Sequence, residues 1–104
     1  MNLIEVNESN FEHEVLRSTV PVVVDFYANY CGPCRMIKPA LALLAEELDG
    51  QAKFVAVDVV ANTKLVSSYG VSSVPTVLVI RDSKEVHRMV GLGKLSELRE
   101  ALRL

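Results

Sequence analysis

Hydrophobic residues along the chain form two kinds of pattern, short continuous runs and stripes at helical spacing. The continuous runs are rich in Val and short, as is typical of strands that are buried on both faces. These runs are residues 22–27, 52–60 and 76–80. A shorter apolar stretch at residues 3–6 predicts an edge strand, and residues 85–90 predict a strand that pairs with 76–80 around a turn at 81–84.

Four other segments place their apolar residues on one face of a helix. These residues are Phe11, Val15 and Leu16 in the first segment, Met36, Ile37, Ala40, Leu41, Leu44, Ala45 and Leu48 in the second, Leu65, Val66 and Tyr69 in the third, and Leu95, Leu98 and Leu102 in the fourth. Ser9 lies three residues before Glu12, a spacing that predicts a capping box, and Asn62 is a candidate N-cap for the third helix. Gly50 and Gly70 predict the ends of the second and third helices.

The order of these elements predicts an α/β fold. Read along the chain, strands and helices follow as βαβαβαββα, which indicates a three-layer sandwich with helices on both faces of a mixed five-stranded sheet. The parallel strands come from the first two thirds of the chain, and the antiparallel hairpin comes from the last third. With 104 residues, half of them hydrophobic, the chain can build its own core, so we expect one domain over residues 1–104.

The charge of the chain argues against nucleic-acid and membrane partners. Lys and Arg number 11 against 13 Asp and Glu, the sequence pI is about 5.6, and the basic residues form no cluster. Residues 1–5 contain no basic segment followed by an apolar stretch, and no apolar run approaches the length of a membrane span. We therefore expect a cytoplasmic protein.

Candidate chemistry is concentrated at the end of the run 22–27. Asp25 interrupts this run, and an acid in an apolar strand is costly unless it is paired, protonated or used. The only two cysteines, Cys31 and Cys34, follow with Gly32 and Pro33 between them. Proline is tolerated in the first turn of a helix, so Cys31 is predicted at a helix N-terminus, which favours a thiolate. Residues three apart on a helix lie close together, so the pair can close into a disulfide and reopen.

These residues resemble the signature of the thioredoxin family, which combines a buried strand, a Cys-Gly-Pro-Cys loop and a helix with a proline one turn further in. The matching residues are Val24-Asp25-Phe26, Tyr30-Cys31-Gly32-Pro33-Cys34, Met36-Ile37 and Pro39. A Cys-x-x-Cys pair by itself is a weak signal, but with Gly-Pro inside it, a strand before it and a helix after it, the signal is strong. The resemblance covers nearly the whole chain and implies a thioredoxin-like fold, with the helix kinked at Pro39.

The resemblance also implies a function, thiol–disulfide exchange by a general protein disulfide reductant. Cys31 would be the nucleophile, Cys34 the resolving cysteine, and Asp25 the proton acceptor for Cys34. The expected partners are client proteins that contain disulfides and an NADPH-dependent thioredoxin reductase. We expect a monomer that binds no cofactor and no metal, its redox-active group being the Cys31–Cys34 disulfide.

A substrate groove beside the cysteines is a further implication of the resemblance. Tyr30, Val74, Pro75 and Gly91 would line it, and the peptide bond between Val74 and Pro75 is expected to be cis and to face the cysteine pair. Gly32 and Pro33 would form the loop and the start of the helix.

Other interpretations remain open at this point. The two cysteines could be half of a metal site, although His13 and His87 have no metal-ligand spacing. Asp25 could be a structural buried acid that is hydrogen-bonded to the backbone. The protein could be a non-catalytic interaction module that keeps the fold, or a disulfide oxidase or isomerase. Gly-Pro between the cysteines and the absence of a signal sequence favour the reductant.

Four positions depart from the family pattern. Tyr27 and Tyr30 stand where tryptophan is common, Ala56 where lysine is common, and Val60 where aspartate is common. In the family the first tryptophan can donate its N–H to that aspartate, so the pair Tyr27 and Val60 is interpreted as the loss of one contact. Since the lysine near the buried acid is also missing, nothing in the sequence offsets the desolvation of Asp25, and its pKa is expected to be raised.

Overall fold

One mixed sheet of five strands forms the centre of the computed structural model, which describes residues 3–103. The strands are β1 (Ile4–Glu5), β2 (Val22–Tyr27), β3 (Lys53–Asp58), β4 (Thr76–Arg81) and β5 (Lys84–Val90). Their order across the sheet is β1-β3-β2-β4-β5. The first three strands in this order are parallel, and β4 and β5 are antiparallel to their neighbours. The predicted α/β fold with an antiparallel hairpin at the end of the chain is confirmed.

Helical elements cover both faces of the sheet. They are a π-helical turn (Glu12–Leu16) and the α-helices α1 (Gly32–Glu47), α2 (Thr63–Ser68) and α3 (Leu95–Leu102). Leu41 of α1 and Leu98 of α3 pack on one face, whereas Val15 of the π-helical turn lies in the cluster on the other face, with residues of α2 packed against it. The sheet therefore separates two apolar layers. Within residues 3–103 no helix is long and apolar enough to cross a membrane.

The central strand β2 presents alternate residues to the two layers. Val22, Val24 and Phe26 belong to the cluster on the side of α2, and Val23 belongs to the cluster on the side of α1 and α3. Because side chains alternate along a strand, Asp25 faces the same side as Val23. Its position in the sheet therefore directs the carboxyl group toward the layer that contains α1.

The hairpin between β4 and β5 has a two-residue turn, shorter than the turn expected at 81–84. Arg81 pairs with Lys84, so each of these residues belongs to a strand. The two turn residues have left-handed backbone conformations, with φ of 53° at Asp82 and 69° at Ser83. Positive φ at both central residues is the geometry that matches the twist of paired strands.

The capping box predicted at Ser9 and Glu12 is wrong. The Ser9 hydroxyl donates instead to Oδ1 of Asn7 at 2.6 Å, and the same oxygen accepts from the backbone N–H groups of Ser9 and Asn10. The segment that follows is a single π-helical turn without a side-chain cap. An Asn side chain that binds nearby backbone donors stabilises a turn, and here this turn replaces the expected start of an α-helix.

The cap of α2 comes from a distant residue. Asn62 stands at the N-cap position as predicted, but its side chain makes no cap hydrogen bond, because Oδ1 accepts from the backbone N–H of Glu8 at 3.0 Å. The Glu8 carboxylate accepts from the backbone N–H of Lys64 at 2.6 Å and from that of Leu65 at 3.4 Å. A carboxylate there satisfies free N–H groups and complements the helix dipole.

Glu8→Ala should therefore lower the free energy of unfolding by about 1 kcal/mol, because α2 loses an acceptor for its first N–H groups. Urea denaturation followed by circular dichroism measures this change. Glu12→Ala is the matched control, since Glu12 pairs with Arg17 on the surface, where ion pairs contribute little. Equal losses in the two variants would contradict the capping role of Glu8.

Candidate functional site

The two cysteines lie at the start of α1 and form a disulfide. Cys31 is the N-cap residue, Gly32 begins the helix, and Pro33 lies in its first turn. Backbone N–H groups in the first turn have no acceptor within the helix, so the missing N–H of proline costs no hydrogen bond there. The Cα atoms of Cys31 and Cys34 are 5.2 Å apart. Both residues are nearly buried, with exposed fractions of 7% for Cys31 and 4% for Cys34.

The sulfur of Cys31 occupies the position of a helix cap. Its Sγ accepts a hydrogen bond from the backbone N–H of Cys34 at 3.0 Å. After reduction, the same N–H and the positive end of the helix dipole would favour a negative charge on this sulfur. The arrangement can thus support a reactive thiolate at Cys31 and a second sulfur that can bond to it.

Asp25 is a buried acid without a hydrogen-bond partner among the described residues. Its exposed fraction is 1%, and neither carboxyl oxygen has a partner within residues 3–103. Burial raises the pKa of Asp25 from 3.8 to about 6; the positive charge of Lys38 lowers this pKa and the negative charge of Glu5 raises it. The structure thus agrees with the expected direction of the pKa shift, and it gives no support to an acid held by backbone hydrogen bonds.

Lys38 is a site residue that the sequence reasoning missed. It is one helical turn after Cys34 on α1, so the two residues share a face of the helix. With Tyr27 they line a cavity of about 100 Å³. The Lys38 ammonium lies over the Tyr27 ring, 5.2 Å from its centroid. The expectation that no cation offsets the burial of Asp25 is therefore wrong, and the i to i+4 spacing from Cys34 was the signal that could have identified Lys38.

Tyr27 has a hydrogen-bond partner that the family comparison did not suggest. Its hydroxyl donates to Oε2 of Glu5 at 2.6 Å. Burial and this bond to Glu5 raise the pKa of the Tyr27 hydroxyl. Val60, which was interpreted as the other half of a lost contact, is 65% exposed. The polar contact of Tyr27 is thus made with β1.

An apolar surface lies beside the cysteines. Tyr30 is 75% exposed, and Val74 packs against the cluster that contains Cys31 and Cys34. A cavity of about 250 Å³ lies at this surface, and its lining residues are Tyr30, Val59, Val60, Val66, Val71, Ser72, Ser73 and Val74. Pro75 is buried, its peptide bond with Val74 is cis, and its carbonyl accepts from the N–H of Gly91 at 2.8 Å. Tyr30 and Val74 therefore line one cavity, whereas Pro75 and Gly91, which were also predicted to line the groove, are not among its lining residues.

The side chains of both histidines lie close to glutamate carboxylates. His13 is 3.3 Å from Glu14, and Nε2 of His87 is 3.5 Å from the carboxylate of Glu97. Within the described part of the chain, no group of three or more His, Cys, Asp or Glu residues could hold a metal ion. The structure offers no support for the interpretation of the cysteines as half of a metal site.

Comparison with known proteins gives a consistent set of matches. The family model described as Thioredoxin matches residues 2–103. The chain is 39% identical to Thioredoxin 1 from Nostoc sp., covering 94% of this chain and 92% of that protein. It is 41% identical to Thioredoxin 1 from Synechococcus elongatus over 83% of this chain and 80% of that protein. It is 33% identical to Thioredoxin from Porphyra purpurea over 98% and 95%, respectively.

The raised pKa of Asp25 predicts a pH-dependent effect of Asp25→Asn on the oxidised protein. Because the folded pKa of about 6 lies above the unfolded value, ionisation of Asp25 lowers stability as the pH rises between the two values, and the loss persists at higher pH. At pH 8 the variant should be about 2 to 3 kcal/mol more stable than the parent. At pH 3, where Asp25 is neutral in both states, the gain should vanish. Denaturant unfolding at both pH values measures the difference, and a gain that is equal at the two would contradict the assignment.

Proposed function

The chain belongs to the thioredoxin family, and from this we propose that it is a general protein disulfide reductant. Family membership and the closely spaced cysteine pair support the broader activity, thiol–disulfide exchange. The single observation that carries the proposal is the Cys31–Cys34 disulfide at the N-terminus of α1, with the Cys31 sulfur accepting a backbone hydrogen bond. Such a pair can hold two electrons as a dithiol and release them to another disulfide.

The reaction begins with the reduced protein. The thiolate of Cys31 attacks one sulfur of a client disulfide, and the other client sulfur leaves as a thiolate that takes up a proton. The new bond joins Cys31 to the client. Cys34 then loses its proton and attacks the sulfur of Cys31, and the second client sulfur leaves as a thiolate that also takes up a proton. The client has gained two electrons and two protons, and the protein is left with the Cys31–Cys34 disulfide.

The geometry at the start of α1 supports different roles for the two sulfurs. Cys31 stands at the N-cap, where helix N–H groups favour its thiolate, and it is slightly the more exposed of the pair. Cys34 lies inside the first turn, where it is buried. These positions fit an attacking Cys31 and a resolving Cys34. Gly32 and Pro33 form the connection between them and begin the helix.

Asp25 is proposed to accept the proton of Cys34, directly or through a water molecule. Its side chain faces the layer that contains α1, and it makes no hydrogen bond within the described residues that would occupy its oxygens. A pKa of about 6 leaves the carboxylate ionised at neutral pH while making it a stronger base than an exposed aspartate. This role gives a reason for an acid inside an apolar strand.

The client would lie on the apolar surface beside the cysteines. Tyr30 and Val74, which line the cavity beside the cysteines, would contact it, and the hydrogen bond from Gly91 to Pro75 would hold the neighbouring loop. A shallow apolar surface of this kind can accept varied sequences, because it depends on shape and apolar contact more than on charge. This is the behaviour that a general reductant requires.

Partners and setting follow from the same proposal. An NADPH-dependent thioredoxin reductase would return the disulfide to the dithiol, so the protein needs no bound cofactor of its own. We further propose that the protein acts in the cytoplasm as a monomer formed by a single domain over residues 1–104. Nucleic acid and membranes are not among the proposed partners.

The assigned roles predict opposite outcomes for two serine variants. Cys34→Ser should accumulate a mixed disulfide with a client, because Cys31 can still attack but nothing resolves the product. Cys31→Ser should form none. Both variants can be incubated with an oxidised client protein and analysed by non-reducing electrophoresis and mass spectrometry. Equal trapping by the two variants would show that the roles of the cysteines are assigned wrongly.

Catalysis of insulin reduction tests the function itself. With dithiothreitol, or with NADPH and a thioredoxin reductase, the parent should accelerate insulin precipitation, and Cys31→Ser should give only the rate of the reagents alone. The reduction potential of the Cys31–Cys34 pair, measured against glutathione, should be more negative than about −230 mV. No catalysis would favour a non-catalytic interaction module. Catalysis together with a potential of about −180 mV or higher would instead identify an isomerase or oxidase.

A further inference from the structure

Three side chains from different elements form a connected group beside Asp25. The Tyr27 hydroxyl donates to the Glu5 carboxylate at 2.6 Å, and the Lys38 ammonium lies 5.2 Å from the centroid of the Tyr27 ring. Glu5 comes from β1, Tyr27 from the end of β2, and Lys38 from α1. The hydrogen bond to Glu5 holds the Tyr27 ring in position, and the face of this ring attracts the Lys38 ammonium.

The register of the sheet places this group close to Asp25. Glu5 pairs with Ala56 of β3, and Ala56 pairs with Asp25 of β2. Two strand spacings separate Glu5 from Asp25, which is about 10 Å between their backbones. Tyr27 is two residues beyond Asp25 and therefore on the same face of the sheet. Lys38 reaches this face from the helix that also carries Cys34.

We propose that Lys38 is a positioning residue for the resolving step, because its ammonium, held over the Tyr27 ring, stabilises the ionised form of the Asp25 carboxyl group. This inference rests on the proposed function, in which ionised Asp25 takes the proton of Cys34. Lys38 does not touch the reacting sulfur atoms in this account and acts through Asp25.

The other charged groups around Asp25 do not replace Lys38. The Arg35 guanidinium, also on α1, donates to the backbone oxygen of Asn29 at 2.9 Å. Glu5 on β1 is negative and acts on Asp25 in the opposite direction, while Asp58 on β3 adds negative charge near Tyr27. On β4, Val77 pairs with Asp25, and on β5, Met89 pairs with Val77; both residues are apolar. The residues of α3 that pack into this layer are also apolar.

The direction of each effect follows from charge. Removing the positive charge of Lys38 should raise the pKa of Asp25 above about 6, and removing the negative charge of Glu5 should lower it. If the two substitutions only disturbed packing, the shifts in the pKa of Asp25 would not be expected to have opposite signs. The pair of substitutions therefore separates an electrostatic role from a structural one.

The test measures the carboxyl carbon of Asp25 by NMR over a pH series in the oxidised parent protein and its variants. Lys38→Met should raise the pKa, Glu5→Gln should lower it, and Lys38→Arg should keep it near the parent value. Lys64→Met is the matched control, because it removes one positive charge from α2 on the other face of the sheet. It should leave the pKa of Asp25 unchanged.

A second readout is the rate at which Cys34 resolves a preformed mixed disulfide on Cys31, measured by stopped flow between pH 4 and 8. The midpoint of this pH profile should move with the pKa of Asp25, up for Lys38→Met and down for Glu5→Gln. For each pH unit that the midpoint rises, the rate well below it should fall about tenfold. Shifts in both readouts support the inference.

An unchanged Asp25 pKa in Lys38→Met would overturn the inference, and so would a changed pKa with an unchanged pH profile of resolution. Neither outcome would touch the proposed reductant activity, which is judged by insulin reduction with the parent protein. Failure of the parent in that assay, with the pKa shifts present, would instead reject the reductant function together with the positioning role that depends on it.

Discussion

The burial of one carboxyl group in the central strand is the constraint on which the site depends. Asp25 lies in β2, between β3 and β4, and its side chain enters the apolar layer under α1 without a hydrogen bond to any described residue. Desolvation of this group costs free energy, and the surrounding core offsets the cost. The same burial brings its pKa to about 6, close to neutral pH. The burial that weakens the fold thus also suits Asp25 to the proton-acceptor role proposed for it.

The strand and the helix that hold this site were predictable because their signals are local. A short apolar run predicted a strand at residues 22–27, and the structure has β2 at those residues. Pro33 in the first turn predicted the start of α1 beside Cys31, which is its N-cap. Each signal depends on a few consecutive residues, so no knowledge of the tertiary structure was needed. The mixed sheet then followed from the order of the elements.

Contacts between distant parts of the chain were not predictable in this way. Glu8 caps a helix that begins more than fifty residues later, and Tyr27 donates to Glu5 from a strand that is not adjacent to β1. No periodicity marks such pairs, because each depends on how the strands are ordered in space. At Ser9 a strong local signal failed, since Asn7 offered a competing acceptor two residues away. Local patterns therefore predict elements better than they predict the polar contacts between them.

The position of Lys38 explains how a chain with alanine at position 56 still has a cation that lowers the pKa of the buried Asp25. Ala56 is in register with Asp25 and is 2% exposed, so an ammonium group there would have to lose most of its hydration. Lys38 is on the exposed side of α1, so its ammonium can lie over the Tyr27 ring and still keep contact with water. A cation supplied from the helix thus acts on Asp25 without a large desolvation cost of its own. The hydrogen bond from Tyr27 to Glu5 holds the ring on which this arrangement depends, and it engages the carboxylate whose negative charge opposes the ionisation of Asp25.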